Sequence, residues 1–216
     1  MTYSPKDVLE ATSHLTGVTI PVHIELESEQ VVLSQHEMQE ILSHAKTIAI
    51  GNCICREGER SCEHLVKSCL ALDEEAETKV AEDGWKKIDL KAAMELLETT
   101  YKQGLVHMAY RRASVEGGVV RESDLGFVCS CCSCCCGPLN GLRQFKYSDA
   151  ITRSAYRAQL DEEACVGCGT CVKRCLFGAY SLPEGSPTAR LDVDRCFGCG
   201  LCVETCSVGA IAFVER

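Results

Sequence analysis

The residues most able to do chemistry are cysteines near the C-terminal end of the sequence, where one spacing, C-x2-C-x2-C-x3-C, occurs twice. The first motif contains Cys165, Cys168, Cys171 and Cys175, and the second contains Cys196, Cys199, Cys202 and Cys206. Three thiols at two-residue intervals can wrap one corner of an iron–sulfur cubane, because the glycines between them permit tight turns. The spacing therefore predicts two [4Fe-4S] clusters in residues 161–216.

A pair of zinc sites is the alternative for these eight thiols, since zinc also binds four thiolates through C-x2-C pairs. Zinc sites generally separate two such pairs by a long loop, whereas here three cysteines follow one another at short intervals. The spacing favours iron–sulfur clusters.

Ten further cysteines lie earlier in the chain, in two groups. The first group is Cys53, Cys55, Cys62 and Cys69, and the second is Cys129, Cys131, Cys132, Cys134, Cys135 and Cys136. The second group cannot all bind one cubane, because adjacent side chains point in different directions and each iron takes one protein ligand. We expect the loops at 53–69 and 129–136 to converge, so that these cysteines bind metal in one or two additional iron–sulfur clusters. Cys55, Cys62 and Cys69 are the first candidate ligands.

Two alternatives remain for these ten thiols. An atypical cluster with more than four cysteines would use the surplus, whereas a structural zinc site with a few free buried thiols would leave this region without a redox centre. His64 and His107 are conceivable ligands or proton donors, but their positions favour hydrogen-bonded structural roles. Arg56, Arg111 and Arg112 could offset thiolate charge, hold an anionic substrate or simply be solvated at the surface. No catalytic residue is identified.

Composition and charge narrow the functional classes. The sequence has 18 cysteines among 216 residues, a density typical of disulfide frameworks or metal sites. It has neither a signal-peptide pattern nor an apolar run long enough to span a bilayer, so we expect a cytoplasmic protein whose thiols are metal ligands. A net charge of -9 argues against nucleic-acid binding and favours a partner with a basic patch. Dinucleotide, ATP and serine-hydrolase motifs are missing from the sequence.

Periodicity predicts the elements that position the cysteines. Helices are expected at 5–15, at 34–45 with a Ser34 and Glu37 capping box, and at 89–103 with Gly104 at its end. Strands are expected at 18–26, at 47–50 and in the segment GLVHMAY, followed by a turn at 117–118. The acidic segment 73–83 is a solvated helix or a loop.

These elements predict an α+β protein with two domains. A mixed α/β domain with cysteine-rich loops and an extra iron–sulfur site would occupy residues 1–145. A linker helix would occupy 146–160, and a ferredoxin-like domain 161–216.

The two tail segments EEACVGCGTCVKRCLFGAYSL and VDRCFGCGLCVETCSVGAIAF resemble the halves of a bacterial-type 2x[4Fe-4S] dicluster ferredoxin. The resemblance implies that the fourth cysteine of each motif binds the cluster of the other motif. One cluster would then have Cys165, Cys168, Cys171 and Cys206 as ligands, and the other Cys196, Cys199, Cys202 and Cys175. The proline usual after the fourth cysteine is replaced by Leu176 and Ser207.

The earlier region resembles a cysteine-rich domain that precedes dicluster modules in uncharacterised iron–sulfur proteins of anaerobes. The resemblance rests on C-x-C-R at 53–56, G-L-V-H at 104–107 and the cysteine run at 129–136. This resemblance extends the architecture more than the function. The paired clusters expected in the tail predict a low-potential electron-transfer protein or complex subunit, with a flavoprotein, hydrogenase or reductase subunit as redox partner. The alternative is an iron–sulfur oxidoreductase, in which a catalytic cluster in the cysteine-rich domain receives electrons from the tail.

Overall fold

The computed structural model describes residues 30–32, 34–116, 119–145 and 153–216. The helix and strand expected at 5–15 and 18–26, and the turn at 117–118, lie outside these residues. The side chains of Arg111 and Arg112 are also outside the description. Both helices and strands are present, as predicted for an α+β protein.

The front half, residues 30–145, contains six strands and five helices among the described residues. In chain order they are β1 (Gln30–Val32), α1 (Gln35–His44), β2 (Ile48–Asn52), α2 (Ile54–Glu59), β3 (Lys67–Leu72), α3 (Asp73–Asp83), β4 (Lys86–Ile88), α4 (Leu90–Lys102), β5 (Val106–Glu116), β6 (Val119–Cys131) and α5 (Gly137–Phe145).

The tail module, residues 153–216, contains shorter elements. They are β7 (Tyr156–Leu160), α6 (Thr170–Arg174), β8 (Tyr180–Ser181), β9 (Arg190–Leu191), a 3-10 turn (Val193–Arg195), α7 (Leu201–Thr205) and β10 (Ile211–Glu215). β7 pairs antiparallel with β10, and β8 pairs antiparallel with β9.

Within the described residues, the six front-half strands form one antiparallel sheet in the order β1-β5-β6-β3-β2-β4. Helices α1 and α4 cover one face, where Met38 and Leu97 pack with Leu70 and Val128. Helix α3 covers part of the other face through Ala76. Because side chains alternate between faces along a strand, Cys129 and Cys131 lie on the face opposite Val128 and Ser130.

The helix boundaries follow the capping residues that the sequence indicated. Ser34 and Glu37 form the capping box of α1, and Asp89 caps α4 by accepting from the amide of Ala92. Gly104 follows α4 with φ of 87°. The predicted helices at 34–45 and 89–103 are therefore confirmed, and the acidic segment 73–83 is helical.

Two local expectations are wrong. Cys69, Cys129 and Cys131 lie in strands β3 and β6 and not in loops, because Cys69 pairs with Cys129 in the ladder between these strands. The linker helix expected at 146–160 is not formed over Tyr156–Leu160, which is strand β7 because it pairs with the last strand of the chain. Residues 146–152 lie outside the described part.

Polar contacts fasten the tail module to the front half. The Glu37 carboxylate, besides closing its capping box, accepts from the Ser154 hydroxyl at 2.5 Å and from the Ala155 amide at 3.0 Å. Arg174 donates to the carbonyl of Lys102 at 3.1 Å, and Arg143 donates to the carbonyl of Leu176 at 2.8 Å. In the described ranges, every helix is too short or too polar to cross a lipid bilayer.

Candidate metal centres

The eight tail cysteines line two separate cavities. The first cavity, which also contains Val166 and Val208, is lined by Cys165, Cys168, Cys171 and Cys206. The second cavity, which also contains Phe177 and Phe197, is lined by Cys175, Cys196, Cys199 and Cys202. Each cavity thus collects three cysteines of one motif and the fourth cysteine of the other.

Local backbone geometry presents these thiols. Helices α6 and α7 each begin after a glycine in the left-handed region, Gly169 with φ of 72° and Gly200 with φ of 77°. The fourth cysteine of each motif follows the helix, where Cys175 Sγ accepts from the amide of Ala179 and Cys206 Sγ accepts from that of Ala210, both at 3.3 Å. Amide donors stabilise charge on sulfur, so this donor set fits a thiolate-bound cluster in each cavity.

The two tail cavities differ in burial. Burial raises the pKa of Cys202 to about 12 and raises the pKa of Cys199 still further. Cys168 is exposed, and a hydrogen bond from Thr170 lowers its pKa. A bound metal keeps thiols ionised in a buried site. The second cavity is therefore the interior one, and the first lies at the surface.

In the front half, one set of four thiols is gathered tightly. Its sulfur atoms all lie within 4.8 Å of one another, and its members are Cys62, Cys132, Cys134 and Cys135. The Cys62 sulfur lies 3.9 Å from that of Cys132 and 3.6 Å from that of Cys135, and Cys134 and Cys135 are 3.8 Å apart. We call this set the four-thiol site. It joins the loop before β3 to the turn after β6.

The other six front-half cysteines line one large cavity, with a volume of about 750 Å³. We call it the six-thiol cavity, and its cysteines are Cys53, Cys55, Cys69, Cys129, Cys131 and Cys136. Cys132 also reaches its wall. The expected convergence of the two cysteine groups is present, but Cys62 is separated from Cys55 and Cys69, with which it was predicted to act.

Thiols of the six-thiol cavity form a continuous series of side-chain contacts. Cys69 and Cys129, paired across β3 and β6, have sulfur atoms 3.8 Å apart. Hydrogen bonds from Cys55 and Cys69 hold the pKa of Cys53 far below its usual value. Cys136 in turn contacts Cys55. Crowded thiols cannot all ionise alone, because each thiolate disfavours the next, and a metal removes that conflict.

Aromatic side chains complete the six-thiol cavity, and the sequence had not indicated them. Trp85 lies over Gly51, where a side chain would collide with the indole, and contacts Phe127 edge to face with ring centroids 6.3 Å apart. The Tyr110 hydroxyl lies 3.9 Å from the Cys131 sulfur. The period-two pattern that puts Phe127 and Cys129 on one strand face was the available signal.

Arg56 lies between the two front-half thiol sets and is 1% exposed. Its guanidinium donates to the Ser68 hydroxyl at 2.7 Å and to the carbonyls of Leu65 and Ser130. It also contacts the Cys132 thiol and attracts charge on Cys53. Of the roles considered for Arg56, the structure supports offsetting thiolate charge and excludes surface solvation.

The two histidines are not part of either thiol set. His107 is buried in β5, where its Nε2 lies 3.1 Å from the Thr100 hydroxyl, and burial lowers its pKa to about 4. His64 is half-buried in the loop before β3. The structural role expected for His107 agrees with this hydrogen bond.

Comparison with known proteins gives one finding for the tail. A family model described as a 4Fe-4S dicluster domain matches residues 158–213. No curated relative matches the chain. The C-terminal region is therefore a ferredoxin-like module of the 4Fe-4S type, and the front half lies outside the match.

Proposed function

We propose that this protein transfers single electrons between a redox partner and an iron–sulfur centre in its front half, by way of two [4Fe-4S] clusters in residues 161–216. The grouping of the cysteines in the two tail cavities supports the crossed ligand sets. Bound clusters supply one-electron redox chemistry. The cysteines would hold these clusters, and the surrounding apolar side chains would exclude water from them.

One observation carries the proposal: the interior tail cavity and the six-thiol cavity share a hydrophobic cluster. Cys131 and Cys136 from the front half pack in one buried cluster with Phe197 of the tail, and Cys199 packs against it. Phe177 stacks on Phe197 with ring centroids 4.6 Å apart. Thiols of the two regions are therefore linked by one continuous apolar cluster, and we propose the six-thiol cavity as the front-half redox site.

The surface cavity of the tail is the proposed point of electron exchange. Cys168 is exposed there, and Val166 and Val208 beside it are 63% and 45% exposed. The net charge of -9 favours a redox partner with a basic docking face, such as a flavoprotein, hydrogenase or reductase subunit. Such docking weakens as salt screens the charges.

A reductase is the second candidate, and the size of the six-thiol cavity favours it. A volume of about 750 Å³ falls in the range of small-molecule pockets. A catalytic role requires an iron with a position that no thiolate occupies, whereas a carrier needs every iron saturated by cysteine. The front-half centre would then consume the electrons that the tail delivers.

Metal analysis of anaerobically purified protein tests the proposal. We expect about twelve or more irons per chain, accompanied by acid-labile sulfide, because the two tail cubanes account for only about eight. Cys69→Ala should lower the iron content while the electron paramagnetic resonance signals of the tail remain. A wild-type content of about eight irons would contradict the front-half centre, and protein without iron would contradict the whole proposal.

Crossed ligation predicts which cluster each fourth cysteine supports. Cys175→Ala should remove the same paramagnetic signal as Cys199→Ala, because these two side chains line the interior cavity. Cys206→Ala should remove the same signal as Cys168→Ala, because both line the surface cavity. Spectra of the reduced variants, compared in these pairs, measure the effect. If Cys175→Ala instead matched Cys168→Ala, each motif would hold its own cluster.

A further inference from the structure

The four-thiol site differs in geometry from the other cysteine sites. Its four sulfur atoms are mutually within 4.8 Å, with measured pairs at 3.6, 3.8 and 3.9 Å. Among the described residues, no other set of three or more cysteine, histidine or acidic side chains is gathered as closely. The ligand sets of the two tail cavities, in particular, are spread more widely.

This spacing matches one metal ion. A tetrahedral ion with metal–sulfur bonds of about 2.3 Å places its ligands about 3.8 Å apart, since the edge of a tetrahedron is about 1.6 times the centre-to-corner distance. In a cubane the irons and sulfides lie between the thiolates, which must stand farther apart. The three measured pairs therefore fit a mononuclear site better than a cluster.

We propose that Cys62, Cys132, Cys134 and Cys135 bind a single divalent ion in an all-thiolate tetrahedral site, separate from the redox centres. Zinc and ferrous iron are the ions that this donor set and geometry take. The site combines one cysteine from the loop before β3 with three from a single turn. Four thiolates fill the coordination of a tetrahedral ion, so no position is left for a substrate.

The location of the site indicates what the ion does. The segment between α2 and β3 has no regular structure, and its Leu65 and Val66 are 42% and 40% exposed. It therefore lacks an apolar core of its own. An ion bound by Cys62 and by the cysteines of the turn at 132–135 would fix this segment to the end of β6, as a structural metal does in small domains. The segment in turn supplies the Leu65 carbonyl to Arg56.

Elemental analysis of the full-length protein with Cys134→Ala tests the site, because Cys134 is the exposed ligand and its loss disturbs packing least. We expect the loss of one metal ion per chain with acid-labile sulfide unchanged. If water takes the place of the one missing thiol and Cys134→Ala keeps its ion, the double variant Cys62→Ala, Cys134→Ala should still lose it. Ser133→Ala, in the same turn, is the matched control and should retain the ion.

Zinc and iron analysis distinguishes the two ions, and X-ray absorption at the edge of the bound metal should show four sulfur neighbours at about 2.3 Å for zinc. Limited proteolysis should cut the 60–66 segment of the double variant faster than that of the wild type. Loss of about four irons together with sulfide would show a cubane and overturn the proposal. An unchanged metal content in the double variant would also overturn it.

Discussion

Replacing Arg56 with methionine should lower the free energy of unfolding by about 3–5 kcal/mol, because it leaves three buried acceptors unpaired and each costs at least about 1 kcal/mol. Arg56 is completely buried and donates to the Leu65 carbonyl, the Ser68 hydroxyl and the Ser130 carbonyl. Methionine fills part of the space but donates to none of these groups. Each buried acceptor left unpaired adds its own desolvation cost.

The Arg56 side chain also connects three separate pieces of the front half. It lies in α2, reaches the segment before β3 through Leu65 and reaches β6 through Ser130. Thiolates on either side depend on its charge, since it contacts Cys132 and attracts Cys53. We therefore expect Arg56→Met to loosen both the four-thiol site and the six-thiol cavity.

Thermal unfolding under anaerobic conditions measures this effect. A loss of about 3–5 kcal/mol corresponds to a fall in Tm of roughly 6–20 °C for a chain of this size. Arg56→Lys should lie between wild type and Arg56→Met, because an ammonium keeps the charge but cannot reach the acceptors with a planar fork. Arg60→Met is the matched control, since Arg60 is exposed at the end of the same helix. Equal Tm values for Arg56→Met and Arg60→Met would contradict the role assigned to Arg56.

Gly198→Ala should remove the cluster of the interior tail cavity and destabilise the tail. Gly198 has φ of 78°, and a methyl group there would collide with the Tyr156 carbonyl oxygen and the Ser154 side chain. The carbonyl belongs to β7, which is paired along its whole length with β10, so it cannot move aside cheaply. The collision must therefore be relieved by a shift of the loop that contains Cys196 and Cys199.

Gly209→Ala separates the collision from the backbone strain. Gly209 also has a positive φ, 66°, but a methyl group there meets open space. Gly209→Ala should lower the free energy of unfolding by only about 1–2 kcal/mol, the cost of the left-handed conformation for alanine. This variant should keep the iron content of the wild type. Gly198→Ala should lose about four irons and the signal that Cys199→Ala also removes. The idea fails if both glycine variants have the same iron content and the same Tm.

Local sequence rules predicted the elements whose signals are contained within one turn. The capping box of Ser34 and Glu37 marked the start of α1, and Gly104 marked the end of α4. The prediction failed at Tyr156–Leu160, because a strand formed by pairing with a segment some fifty residues later has no local signature. It failed for Cys69 and Cys129 for the same reason.

The sequence by itself determined the iron–sulfur character of the tail. Three thiols of each motif lie in one short segment, so the covalent chain keeps them close together whatever the rest of the fold does. Only the tertiary structure decided how the ten front-half thiols divide into a set of four and a set of six. That division depends on the register of β3 against β6 and on which strand face each cysteine occupies. Cys62 and Cys69 lie in the same short segment of the chain, yet in the folded protein they belong to different sites.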